Sequence, residues 1–278
     1  MLKDNLQSFA YEPGYLALHR SGELARRAEM ALADLAECRL CPHTCKVNRL
    51  APDGWQGLCR AGADPVVASW NVHPWEEPPI SGTRGSGTIF FSLCTGRCHF
   101  CQNYPISQLG YGNRVSNARL AEMMLELQGK GCHNINFVTP THFVPQILAA
   151  ADLAASQGLH IPLVYNSSGY ETIETLRLLE GVIDVWLPDA KYAADTSARR
   201  LSGFPHYVAH NQAALREIFR QVGDELLLDD EGIARRGMII RHLVLPEDLA
   251  GTAEVLAWIA TELSPRVHIS VMDQYFPA

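Results

Sequence analysis

No stretch of the 278-residue sequence holds the roughly 20 consecutive apolar residues that cross a bilayer; largely apolar runs such as residues 89–93 stop far short. The first residues (MLKDNLQSFAYEPGYLALHR) lack the basic segment and apolar stretch of a secretory leader. Positive charge is scarce as well. The 23 Lys and Arg against 30 Asp and Glu leave a net charge of −7, opposite to the basic footprint of a general nucleic-acid binder. Charged residues make up only 19% and apolar ones 47%, which excludes a disordered chain and permits a sizeable core. Neither G-x-x-x-x-G-K-[ST] nor G-x-S-x-G occurs, which removes P-loop NTPases and α/β-hydrolases from contention. The expectation is a soluble, cytoplasmic protein with no nucleic-acid or membrane partner.

What the sequence does have is clustered cysteine. Seven of its eight cysteines fall between Cys38 and Cys101. A long chain without a leader is a poor disulfide scaffold, so clustered thiols point to metal or redox chemistry.

The remaining pattern divides the chain in three. Residues 1–37 read as a helical segment: Leu24, Ala28, Ala31, Leu32 and Leu35 recur at helical spacing, with Ser21 placed to cap the N-terminus. Residues 38–83 are broken by Pro42, Pro52, Gly54, Gly57, Gly62, Pro65, Pro74, Pro78, Pro79 and Gly82, and read as a Cys-rich loop region. Loop of that length in a compact domain needs a staple or a function. From residue 84 to 278 short apolar runs alternate with amphipathic ones. Strands are expected at 88–92, 135–138, 163–166, 182–187, 238–245 and 267–272. Helices are expected at 117–130, 144–157, 171–180, 212–221 and 252–263. Such alternation means βαβ units and a parallel sheet, either a partial barrel or a doubly wound sheet. In both, ligands sit beyond the carboxyl ends of the strands, which makes the segments just after each strand the candidate site.

The first cysteine set is Cys38-x2-Cys41-x3-Cys45-x13-Cys59. Four thiolates close a tetrahedral site, and a structural metal is expected. Zn²⁺ and an iron–sulfur cluster both satisfy the ligand count, and spacing leaves the two open. The second set, Cys94-x3-Cys98-x2-Cys101, directly follows the first strand of the alternating region and has three thiolates only. A [4Fe–4S] cluster held by three cysteines keeps one iron without a protein ligand, open to a small chelating molecule. Cys132 reads as a buried apolar thiol. His73, Glu76 and Glu77 read as a solvated loop, and His142 as a rim histidine with a possible proton-carrying role.

The segment Cys94-Thr95-Gly96-Arg97-Cys98-His99-Phe100-Cys101 resembles the cluster motif of radical S-adenosylmethionine (SAM) enzymes, and the chain is most similar to those resembling pyruvate formate-lyase-activating enzyme. The resemblance also runs through residues 38–45 (CRLCPHTC), 76–82 (EEPPISG), 102–108 (QNYPISQ), 134–142 (NINFVTPTH), 166–171 (NSSGYE), 187–192 (LPDAKY) and 240–246 (IRHLVLP). It implies a partial (β/α)6 TIM-like barrel carrying an N-terminal helical and Cys-rich loop extension. It also implies an oxidoreductase in which the reduced [4Fe–4S] cluster on Cys94, Cys98 and Cys101 cleaves SAM to a 5′-deoxyadenosyl radical. That radical would take hydrogen from a substrate, such as a glycine of a partner glycyl radical enzyme. The implied electron donor is of the flavodoxin or ferredoxin type.

Residue by residue, the resemblance implies that Phe100 lies beside the cluster and adenine. It places Asn166, Ser167, Asp189 and Lys191 near the cofactor, and it gives Arg241 to SAM through the planar fork of its guanidinium. The chain departs from the activating enzymes after its second strand, where Thr139-Pro140-Thr141-His142 replaces a Gly-Gly-Glu element. Thr141 is then the side chain available to accept from the SAM ammonium. The alternative reading is a non-catalytic iron–sulfur or zinc module that transfers electrons or supports structure.

Overall fold

The computed structural model describes residues 11–52 and 57–277; the first ten residues of the expected N-terminal helical segment and Gly54 lie outside them. Five elements run up to the cysteine loop: helices α1 (Gly14–Arg20) and α2 (Glu23–Ala33), strand β1 (Val66–His73), helix α3 (Pro78–Ser81) and strand β2 (Ser86–Phe91). The loop is followed by α4 (Tyr104–Ser107), β3 (Asn113–Arg114), α5 (Asn117–Gly129), β4 (Ile135–Val138), α6 (Val144–Ser156) and β5 (Leu163–Ser167). Next come α7 (Ile173–Leu178), β6 (Val185–Pro188), α8 (Asp195–Ser202) and α9 (Tyr207–Val222). The chain closes with β7 (Leu227–Leu228), β8 (Ala234–Leu243), α10 (Thr252–Glu262) and β9 (His268–Met272).

Strands β2, β4, β5, β6, β8 and β9 pair in parallel in that order, each at one of the expected strand positions. The result is an α/β partial TIM-like barrel. The helices between them begin where short polar side chains meet orphan amides: Ser116 accepts from Arg119 N at 3.1 Å to open α5, and Thr172 accepts from Thr175 N to open α7.

Three local expectations need correction. Residues 66–73 are not loop: β1 pairs antiparallel with β2, so the barrel sheet reaches back into the Cys-rich stretch. The β-branched and aromatic residues of VVASWNVH outweigh the flanking prolines, which fall outside the strand. Ser21 does not cap α2. Its hydroxyl donates backward to Leu18 O, and Gly22, at φ 76°, makes the turn instead. Helix α8, between β6 and β8, has no counterpart among the expected elements.

Side chains alternate across each strand, and the two faces differ in chemistry. Outward residues such as Ile89, Phe137, Tyr165, Trp186 and Ile240 join Met124, Ile147, Leu148 and Leu215 of the helices in one large core. Inward residues of the opposite parity, Val164, Val185, Leu187 and Ile239, close on Ile80 of α3. Ile80 is fully buried, so α3 forms an apolar plug at the foot of the barrel, contributing about 2–3 kcal/mol through that side chain. Above the plug the inward positions turn polar, with Asn136, Asn166, Asp189 and Arg241. The N-terminal helices are tied down by Asp184, which accepts from Tyr11 Oη (2.6 Å), Gly14 N (3.0 Å) and Leu163 N (2.8 Å). Among the described residues no helix is long and apolar enough to cross a membrane.

Candidate active site

The three-cysteine segment leaves β2 through Leu93, whose φ of 70° turns the chain back over the barrel mouth. Its backbone is held from two sides. Leu93 N donates to Ile106 O at 2.9 Å, while Arg97 N and His99 N donate to the end of α8 at Ser202 O (2.8 Å) and Leu201 O (2.9 Å). Gln108 Nε2 donates to Cys98 O at 2.9 Å. Gly96 is needed for close approach, since a Cβ there would lie 2.5 Å from Phe204 Cζ. This fastening turns Cys94, Cys98 and Cys101 toward one cavity of about 370 Å³ at the carboxyl ends of the strands.

Burial pushes the Cys94 thiol up to about 12 and raises that of Cys98 as well. In water-poor surroundings neither thiolate persists without a cation, which is the condition a metal ligand meets on binding. No fourth cysteine lines the cavity. Cys132 packs in the main core, as a small apolar residue. The donor set therefore fits a three-cysteine cluster with one open corner.

The same cavity gathers every cofactor candidate named from the sequence: Phe100 from the cysteine loop, Thr141 after β4, Asn166 and Ser167 at the end of β5, Asp189 and Lys191 after β6, and Arg241 on β8. Asp189 and Lys191 are not a solvated surface pair, for Lys191 Nζ sits 2.5 Å from Asp189 Oδ2 with both side chains largely buried. Burial alone would lower the Lys191 ammonium, but Asp189 and then Cys98 outweigh it and hold the charge in place. Phe100 is buried against Tyr192 and Tyr275, with ring centroids 6.5 and 6.3 Å away.

Thr141 Oγ1 donates to Glu171 Oε1 at 2.8 Å, so a carboxyl stands one step behind the cavity wall although the segment after β4 has none. Burial pushes Glu171 up to about 7, and its Oε2 has no partner. The sequence reading passed over Glu171; the signal was an acidic residue directly after an otherwise small, polar strand end. His142 has a structural task instead of a place at the cavity. Its Nε2 donates to Ser92 O at 2.9 Å, and burial lowers it to about 3, which keeps the ring neutral.

The largest revision concerns Glu76 and Glu77. They are not in a solvated loop, because the turn between β1 and α3 carries both into the barrel. Arg241 Nε lies 3.2 Å from Glu77 Oε1, and its Nη1 lies 3.8 Å from Glu76 Oε2. The arginine that the resemblance gives to SAM is thus already faced by two carboxylates. An inward arginine on a buried strand requires acidic neighbours, and Glu76-Glu77 was the adjacent acidic pair left unassigned.

The four-cysteine set converges elsewhere. Cys38, Cys41, Cys45 and Cys59 line a small pocket of about 10 Å³ together with Arg49. Arg49 is 1% exposed; it donates to Gly62 O and to His142 O, the latter at 2.7 Å, and its Nη1 lies 3.8 Å from Cys38 Sγ. His43, between Cys41 and Cys45, places Nε2 2.8 Å from Thr95 O. Burial lowers His43, so the neutral ring donates to that carbonyl and links the two cysteine loops. Among the described residues no three Cys, His, Asp or Glu side chains are gathered into a shell that would hold a metal ion. A single ion needs its ligands in one tight shell, whereas a cluster gives each thiolate its own iron and spreads them.

The family described as "Radical SAM superfamily" matches residues 88–224. "Uncharacterized protein MJ0674" of Methanocaldococcus jannaschii is 32% identical over 260 residues, covering 90% of this chain and 69% of that protein. Among solved structures, "HydG: A maturase of the [FeFe]-hydrogenase" gives a TM-score of 0.48 at 9% identity, over 69% of this chain and 43% of that one. "Methylornithine synthase (PylB)" gives 0.43 at 13% identity, over 98% of this chain and 68% of that one. The chain thus spans less than half the length of the HydG chain it matches.

Proposed function

Since the chain belongs to the radical SAM superfamily, we propose that it is a SAM-cleaving oxidoreductase of the activating-enzyme type. The observation that carries the proposal is the one cavity shared by Cys94, Cys98, Cys101 and the polar strand ends Asn166, Ser167, Asp189 and Arg241. When bound, the cluster and SAM together supply a hydrogen-abstracting radical.

The protein's own part is to hold, orient and dry that site. Cys94, Cys98 and Cys101 hold the cluster, and loop fastening by Ile106, Leu201 and Ser202 keeps their spacing. Lys191, held charged by its pair with Asp189, lies close enough to favour the thiolate of Cys98. Thr141 already donates its hydroxyl proton to Glu171, so its lone pairs remain free to accept from an ammonium. Phe100 offers an apolar wall for a planar ring.

The four cysteines between residues 38 and 59 hold zinc or a second iron–sulfur cluster, in a Cys-rich extension ahead of a radical SAM barrel whose sheet begins at β1. The substrate is a glycine of a partner protein, or a small molecule or peptide, and a flavodoxin- or ferredoxin-type protein delivers the electron. The test is anaerobic reconstitution with iron and sulfide, reduction by dithionite and addition of SAM. 5′-Deoxyadenosine is expected from the intact protein and none from Cys98→Ala. Absence of the nucleoside from intact, iron-loaded protein would favour the non-catalytic module.

A further inference from the structure

The cysteine wall and the strand ends account for one side of the cavity. On the other side His73, Trp75, Glu76 and Phe90 line it, and no step described above uses them. This side lies along β1 and β2, where Trp75 is 83% exposed at the mouth and His73 meets Phe90 edge-to-face at 6.2 Å.

Packed behind Glu76 and Arg241 lie buried polar atoms without full hydrogen bonding. Asn136 is fully buried on the inward face of β4, its amide reaches toward Glu76, and neither Oδ1 nor Nδ2 completes a hydrogen bond. Glu77 Oε2 is likewise without a hydrogen bond, its other oxygen being the one that faces Arg241 Nε at 3.2 Å. Folded proteins rarely leave so many buried polar atoms unsatisfied in one place unless a ligand supplies the missing partners.

Charge defines the ligand. Glu76 and Glu77 face a single guanidinium, that of Arg241, at 3.8 and 3.2 Å. Lys191, the other cation lining the cavity, is engaged by Asp189 at 2.5 Å. With both carboxylates ionised, one negative charge is left without a cation of its own. Burial accordingly pushes Glu76 up to about 7, against the pull of Arg241. A second cation would restore the balance, and the aromatic faces of Trp75 and Phe90 near the entrance suit its passage.

We propose that Glu76, beside Arg241 and backed by Glu77 and Asn136, forms a substrate subsite that takes a cationic amino or guanidino group, entering past Trp75. The proposal rests on the reading of the cysteine side as the cofactor side, and it identifies the substrate as one carrying a primary amine or guanidine near the reacting carbon. A Lys or Arg side chain, an N-terminal ammonium or a small polyamine each meets this description. The ligand amine would donate to Glu76, leaving Arg241 to Glu77.

Isothermal titration of the reconstituted full-length protein tests this with two probes, Nα-acetyl-lysine amide and Nα-acetyl-norleucine amide, which differ only in the side-chain ammonium. The lysine probe is expected to bind the unmodified protein at least tenfold more tightly than the norleucine probe. Glu76→Gln should erase that difference while changing SAM affinity less than threefold, with iron content unaltered. Equal affinities for the two probes, or no binding of either, would overturn the subsite without touching the cluster assignment. A loss of SAM affinity in Glu76→Gln matching the loss of lysine binding would also overturn it, by making the two carboxylates mere supports for Arg241. Glu77→Gln serves as the second variant if Glu76→Gln fails to fold, and the comparison of probes on the unmodified protein needs no variant.

Discussion

The two cysteine loops are joined by hydrogen bonds from His43 to Thr95 O and from Arg97 to Leu58 O, yet they enclose very different spaces: about 370 Å³ around Cys94, Cys98 and Cys101, and about 10 Å³ around Cys38, Cys41, Cys45 and Cys59. The large space is walled by groups that bind and orient, namely hydroxyls, an ion pair, an amide and a guanidinium. The small one is walled by its own thiols, apolar side chains, two histidines and the immobilised Arg49. An open site can exchange a ligand and a closed one cannot, so under the proposed function the large space is the one suited to chemistry and the small one to scaffolding.

The sharpest way to break this comparison is to remove one cysteine from each loop. Cys98→Ala should lose about four irons and all 5′-deoxyadenosine formation, whereas Cys38→Ala should retain those irons. Iron and sulfide analysis reads the outcome, and equal loss from both variants would erase the distinction.

A scaffolding role predicts a large stability cost without loss of the open cluster. Arg49→Met strands the carbonyls of Gly62 and His142 in a buried place and should cost about 3 kcal/mol in urea denaturation. Iron bound by the three-cysteine loop should persist in the folded variant.

Glu171 supplies a pH signature on the open side. The fold favours its neutral form, with a value near 7 against an ordinary 4.5. Its contribution is therefore full below about pH 4.5 and is lost as pH rises through 7, a decline of up to about 3 kcal/mol. Urea midpoints of Glu171→Gln should show a flatter dependence between pH 5 and 7.5 than the parent protein. Identical slopes would place the titration elsewhere.

The smallest effect concerns the seam between the loops. Gly96→Ala drives a methyl group to 2.5 Å from Phe204 Cζ and should cost about 2 kcal/mol. Phe204→Leu, by shortening the ring's reach, should recover part of that loss in the double variant.

Much of this was readable before any coordinates. Strand and helix alternation depends on local periodicity, and the six parallel strands fall where the apolar runs do. The cysteine spacing is local too, and places Cys94, Cys98 and Cys101 on one loop. The cofactor candidates were found because each follows a strand. What escaped is long-range. Strand β1 was hidden among prolines, since its partner β2 and its pairing are invisible to a window of sequence. Glu76 and Glu77 look like loop acids until α3 turns inward as a plug and brings Arg241 opposite them. Asn136 reads as one polar residue in an apolar strand, and only the closure of the barrel shows that its inward face has no partner. Glu171 escaped for the same reason, for its role depends on Thr141, 30 positions earlier.

The open iron corner can be observed directly by Mössbauer spectroscopy of protein reconstituted with 57Fe, recorded with and without SAM. The account predicts that SAM shifts the signal of one iron in the four of the Cys94–Cys98–Cys101 cluster toward higher coordination and leaves the other three unchanged. A spectrum in which all four irons are indifferent to SAM would contradict it, because every corner would then already be filled by the protein.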